Sequence, residues 1–103
     1  MANRIRIRAL QKDGVTEVKA LMRHPMETGQ RRDDAGEVIP AHFITEVVAT
    51  HGDRVVMVAH WGAAVSQNPL LGFRFQGGQV GDTVTVTWVD NQGQRGEGQV
   101  LIR

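Results

Sequence analysis

Cysteine is absent from the 103 residues, which removes disulfides, thiolate metal sites and a cysteine nucleophile together. Tyrosine is absent too, and aromatics make up 5% of the chain. That is too little for the stacking platforms on which single-stranded nucleic acid is bound. Neither sign of charge prevails: 12 Lys and Arg stand against 11 Asp and Glu, a net +1. No global field therefore draws in nucleic acid or an anionic membrane. No segment approaches the ~18 apolar residues of a membrane span. The opening Met-Ala-Asn-Arg-Ile-Arg-Ile-Arg lacks the apolar h-region of a secretory signal; read alone, it points to the cytoplasm. Helical periodicity, internal repeats and low-complexity runs are missing as well.

What is present is alternation. Hydrophobic residues at 41% and charged residues at 22% are ordinary for a globular protein, and the length suits one domain over residues 1–103. Residues 4–8 set Ile5 and Ile7 against three arginines, a short strand with one wet face. Thr16 to Met22 sets Val18, Ala20 and Met22 against Glu17 and Lys19. Phe43–Thr50 and Arg54–His60, joined by His51-Gly52-Asp53, form a hairpin. Leu71, Phe73 and Phe75 alternate with Gly72, Arg74 and Gln76. Thr83 to Val89 turns Val84, Val86 and Trp88 inward and its threonines outward, and a last strand over Gly96–Ile102 follows. About seven short strands with Gly-containing turns predict an all-β fold, an immunoglobulin-like antiparallel β-sandwich. Trp88 then belongs to the core.

The hairpin of the third and fourth strands is apolar on both faces. Strict alternation opposes Ile44 and Val48 to Phe43, Val47 and Ala49, and Val56 and Val58 to Val55, Met57 and Ala59, with Glu46 and His60 as polar exceptions. A two-layer domain buries only one face of each sheet in its own core. The other face needs cover from a loop or from a second protein.

The stretch His24–Pro40 has no period and is punctuated by Pro25, Gly29, Gly36 and Pro40, with Met26, Val38 and Ile39 as apolar anchors. A connection this long in so short a domain points to function. If alternation persists, Met22, His24 and Met26 share a side, a thioether and imidazole set suited to copper(I). Against that, methionines fill core gaps and Pro25 breaks the strand. His24, His42, His51 and His60 contain no pair at metal-ligand spacing. Arg31-Arg32-Asp33-Asp34 is read either as a solvated loop tip or as an arginine fork for an anion or a partner. No catalytic triad, P-loop or paired-acid pattern is present; Thr28-Gly29 and Gly77-Gly78 read as turns. Nothing here argues for an enzyme, and no cofactor or metal is expected in the leading reading.

Four blocks carry a resemblance: His24-Pro25-Met26-x-x-Gly29-Gln30-Arg31, Val38-Ile39-Pro40, Val65-Ser66-x-Asn68-Pro69 and Thr87-Trp88-x-Asp90. In this order and spacing the chain resembles the SoxZ family, from the first strand to the last. It departs in the closing hairpin, where Val89 and Asn91-Gln92 stand in place of a more polar, more acidic run. The resemblance implies an immunoglobulin-like, non-catalytic subunit of the SoxYZ carrier of bacterial thiosulfate oxidation. Its partner would be a SoxY-like protein, whose cysteine on a flexible arm carries the sulfur intermediates to other sulfur-oxidation enzymes. The heterodimer would be periplasmic, this subunit being exported with its partner, which reverses the cytoplasmic reading. On this view Ile44, Val48, Val56 and Val58 form the partner-binding face. His24, Met26, Arg31 and Arg32 are the loop candidates for partner or anion contact. A small periplasmic copper-binding sandwich and a generic adhesion or sugar-binding sandwich are the alternatives.

Overall fold

The structure is a computed structural model and describes residues 5–103; Met1 to Arg4, with the first of the three expected arginines, lie outside the described residues. The seven strands are β1 (Ile5–Lys12), β2 (Val15–Met22), β3 (Ile44–His51), β4 (Arg54–His60), β5 (Leu70–Gln76), β6 (Thr83–Asp90) and β7 (Arg95–Leu101). They form two antiparallel sheets, β1-β2-β5 and β4-β3-β6-β7, with no helix among the described residues. The fourth strand pairs with the third, whereas a constant-type immunoglobulin domain places it in the opposite sheet.

Period-2 patterning produces this core. Val18, Ala20 and Met22 of β2 face Val84, Val86 and Trp88 of β6 and Val47 and Ala49 of β3, all buried. Ile102 and Ile5 close one side, where Gln11 N–H donates to the carbonyl of Arg103 and Arg103 N–H to that of Ala9. The β1–β2 turn is two residues, Asp13 and Gly14, at φ +54° and +78°. Two left-handed positions in sequence are what a type I′ hairpin requires. Along β7, Gly96 lies under the Trp88 indole, and a Cβ added at Gly98 would come 2.6 Å from the Ile5 carbonyl oxygen. Small residues there let the sheets approach at the β1/β7 side.

Two irregularities change which residues face out. Register slips by one residue between Ile44 and Glu46 against β6, and again between Ala49 and Thr50 against β4. An extra residue in one strand inverts the facing of everything on one side of it. Ile44 therefore joins Val47 and Ala49 in the core with no exposure, and cannot belong to a partner-binding surface as expected. Val56, expected on the outer face, packs against the core with Met57 and Ala59. Val48 and Val58 stay outside as expected and are paired across the strands, Val55 and Val89 flanking them. The polar exceptions Glu46 and His60 are also cross-strand partners, 3.7 Å apart.

Gly96→Ala places a methyl group inside the Trp88 ring and is expected to lower the unfolding free energy by about 1–3 kcal/mol. Urea denaturation checks this; a variant as stable as the parent would contradict the packing of β7 on Trp88.

Candidate functional site: a pinned ribbon at one end of the sandwich

The long connection between β2 and β3 is ordered. It leaves β2 through Pro25 and bends at Met26, whose φ of +51° is uncommon for a residue with a side chain. Two local contacts hold that bend: Met26 N–H donates to His24 Nδ1 at 3.2 Å, and the Met26 sulfur accepts from Ile44 N–H at 3.4 Å. Beyond it the chain doubles back as a two-stranded ribbon. Glu27 and His42 exchange both backbone hydrogen bonds, and Ile39 N–H donates to Arg31. Gly29, at φ +87°, approaches Ala41 so closely that an added Cβ would lie 3.1 Å from the Ala41 Cβ. At the tip Asp33 Oδ1 accepts from the N–H groups of Ala35 and Glu37. Every residue from Gln30 to Val38 is exposed, so the ribbon stands off the sandwich.

The base of the ribbon is fastened by one carboxylate. Asp90, at the end of β6, is buried, and its Oδ2 accepts from His24 Nε2 at 2.9 Å and from His42 Nε2 at 2.8 Å. Its Oδ1 accepts from Gln92 N–H at 3.0 Å and Gln94 N–H at 2.8 Å. The next residue, Asn91, accepts from Phe43 N–H and donates to the Ala41 carbonyl, which Gln92 Nε2 also reaches. From the other side Asn68 clamps the backbone of His24, its Oδ1 taking the His24 N–H and its own N–H donating to the His24 carbonyl, both at 3.0 Å. The His24 ring stands edge-on to both His42 and Trp88, with centroids 4.5 and 5.0 Å away. Burial pushes the Asp90 carboxyl up, but the four donors outweigh it and hold the group below the usual aspartate range.

His24, His42 and Asp90 bring three potential metal-ligand atoms within 4.8 Å. The hydrogen bonds assign the protons differently. His24 Nδ1 accepts an amide hydrogen, so Nε2 carries the ring proton and spends it on Asp90. His42 Nε2 lies between two acceptors, Asp90 Oδ2 and Gln94 Oε1 at 3.0 Å, and is a donor too. A metal-bound imidazole needs a bare nitrogen toward the ion and a proton on the other. The cluster is a proton-filled pin. The copper(I) set fares no better, since Met22, His24 and Met26 are all buried and the His24 nitrogens and Met26 sulfur are already engaged.

The other loop candidates brace the ribbon. Arg31 grips Glu27 with both arms, Nε to Oε1 at 3.1 Å and Nη2 to Oε2 at 2.6 Å, and this pairing holds the Glu27 carboxyl below its ordinary range. Arg32 Nη1 donates to the Gly36 carbonyl at 2.8 Å. His24 and Met26 are sealed in and cannot meet a partner or an anion directly, contrary to expectation. Sequence reading missed His42, Asp90, Asn91 and Gln94. The available signal was the pairing of histidines at both ends of the loop with a polar hairpin turn.

Several residues of the clamp lie in the resembling blocks. His24, Met26, Asn68, Trp88 and Asp90, distant in the chain, converge on one end of the fold. The family model for sulphur oxidation protein SoxZ matches residues 5–100. The chain belongs to the SoxZ family. It is thereby a sulfur-oxidation protein, and the match spans both sheets and the ribbon. No curated protein matches it.

Two outcomes follow for the pin. Asp90→Asn turns an amide NH2 toward donors in either orientation, and should cost about 2–4 kcal/mol at neutral pH, read from urea midpoints. Because the folded-state pKa of Asp90 is depressed, its stabilisation is complete above the ordinary aspartate value and fades as pH falls through that value toward the folded one. Asp90→Asn should lose this part of the acid limb, and an unchanged limb would contradict the assignment.

Proposed function

We propose that this chain is the non-catalytic subunit of a two-protein sulfur carrier, pairing with a SoxY-like protein whose cysteine bears the sulfur intermediates of thiosulfate oxidation. The observation that carries this reading is the outer face of β4-β3-β6-β7. There Val58, Val48 and Thr87 lie in one cross-strand row, flanked by Val55, Thr50 and Thr85 on one side and Val89 on the other. Val55 and Val58 are 55% and 48% exposed. This Val/Thr patch, bordered by Glu46 and His60 and by Arg95, Glu97 and Gln99 of β7, has the apolar centre and polar rim of a surface that a partner covers. A chain without cysteine holds no sulfur through a thiol, so carriage needs a second protein to supply one. The partner surface is Val48, Val55, Val58 and Val89, with Ile44 and Val56 behind it as support. The ribbon, stiffened by its own ion pair and hydrogen bonds, stands where the partner's mobile arm or a visiting enzyme can meet Arg31, Arg32 and Val38. The complex works in the periplasm, this subunit crossing the membrane with its partner.

Co-expression with the SoxY-like protein of the same organism should yield a heterodimer that survives size exclusion, with a mass equal to one of each chain. Val55→Asp with Val58→Asp should dissociate it while leaving the circular dichroism of the sandwich intact. A heterodimer that persists in that variant would sink the interface assignment, and two independently migrating species from the parent would sink the carrier reading.

A further inference from the structure

The outward faces of the two sheets are different kinds of surface. On β1-β2-β5 the registers stack the outward side chains in four rows: Arg6–Leu21–Leu70, Arg8–Lys19–Gly72, Leu10–Glu17–Arg74 and Lys12–Val15–Gln76. Arg6, Arg8, Lys12, Lys19 and Arg74 thus share this face with two carboxylates, Asp13 at its β1–β2 turn and Glu17, which Arg74 Nη2 already engages at 3.3 Å. The chain's net charge of +1 conceals a local excess of three, five cations less two anions. Arg6, Arg8, Lys12 and Lys19 have no ion pair among the described residues. Arg8 and Lys19 stand directly opposite one another, an arrangement that costs a sheet stability when nothing intervenes. Gly72 adds no side chain to that row, and Arg6, Arg8 and Lys19 border a shallow groove whose apolar parts are Ile7, Leu21 and Leu70, the last 66% exposed. Beside the groove β5 pairs only with β2 and presents a free edge.

We propose that this face docks the acidic surface of a second protein, a transient visitor distinct from the obligate partner on the opposite sheet; this deepens the carrier-subunit reading and rests on it. Charge complementarity selects the occupant. Exposed arginines and a lysine separated by leucines match a protein surface of carboxylates and small apolar patches, since arginine gathers at interfaces and rim charges steer encounter. The face has no aromatic side chain to anchor in a lipid headgroup layer. Its cations are also too exposed to strip the water from a small anion. The two faces then suit two kinds of association: an apolar one for a lasting complex, a charged one for fast, salt-sensitive visits.

The probe is fluorescent poly-L-glutamate, titrated with the full chain and with its heterodimer at low and at physiological ionic strength. Both should bind at low salt and weaken as salt rises. Arg8→Gln/Lys19→Gln should weaken binding about tenfold, and Arg6→Glu/Arg8→Glu/Lys19→Glu should abolish it, while Arg31→Glu/Arg32→Glu on the ribbon stays near the parent. The glutamine pair keeps the test decisive if the triple reversal fails to fold. Equal binding by parent and glutamine variant would overturn the proposal, as would tighter binding to phosphatidylserine vesicles or to single-stranded DNA than to polyglutamate. Loss of the heterodimer in the glutamine variant would overturn the separation of the two surfaces. A parent chain that binds polyglutamate yet forms no heterodimer would instead refute the carrier reading and leave the acidic docking face standing.

Discussion

A single buried carboxylate ties together three parts of the chain at one point. Asp90 accepts from the histidine that opens the long connection, the histidine that closes it, and the backbone of the β6–β7 turn. Burying an ionised group is costly unless its lone pairs are filled, and here all four donors are in place. The ribbon owes its position to this arrangement, because its own hydrogen bonds shape it without attaching it to either sheet. Asn91 and Asn68 add backbone clamps on opposite sides. The edge-on packing of His24 on Trp88 then couples the pin to the centre of the sandwich.

The molecule separates its surfaces by physics. One sheet turns a valine and threonine patch with a polar border outward, the other cations and leucines, and the pinned ribbon adds an exposed tip stiffened by an arginine–glutamate pair. Hydrophobic burial scales with area and favours slow dissociation; exposed charge changes how quickly a partner arrives more than how long it stays. A scaffold that must keep one neighbour while exchanging others needs both. Placing them on opposite walls of a two-layer domain keeps each from compromising the other.

The strand pattern was largely legible from side-chain alternation. Thr83 to Val89 and Leu71 to Phe75 lie where period-2 reading put them, and the turns at Asp13-Gly14 and His51-Gly52-Asp53 follow from residues that accept left-handed backbone. The outward set Ile44, Val48, Val56 and Val58 was half right. Alternation counts residues, and a bulge adds a residue that the count cannot see, so Ile44 and Val56 both turn toward the core. The pin was illegible for another reason. His24 and His42 lie 66 and 48 positions from Asp90, and no local spacing records a contact made only when two loops meet over a folded core. What could be read was the coincidence of a long loop with the resembling blocks, three of which send residues into one clamp.

The bulge after Ile44 also decides where the chain can change length. It sits one strand position from the pin and sets the facing of Val47, Val48 and Ala49 together. Removing one residue at Thr45 would restore strict alternation, turn Ile44 outward and draw His42 out of register with Asp90. Insertion or deletion there is a double loss, of core and of clamp. At the Asp33–Gly36 turn the same change lengthens or shortens an exposed tip and disturbs nothing packed. Divergence in length should therefore concentrate at the far end of the ribbon, leaving its root as a fixed point around which the reach of the ribbon can be retuned.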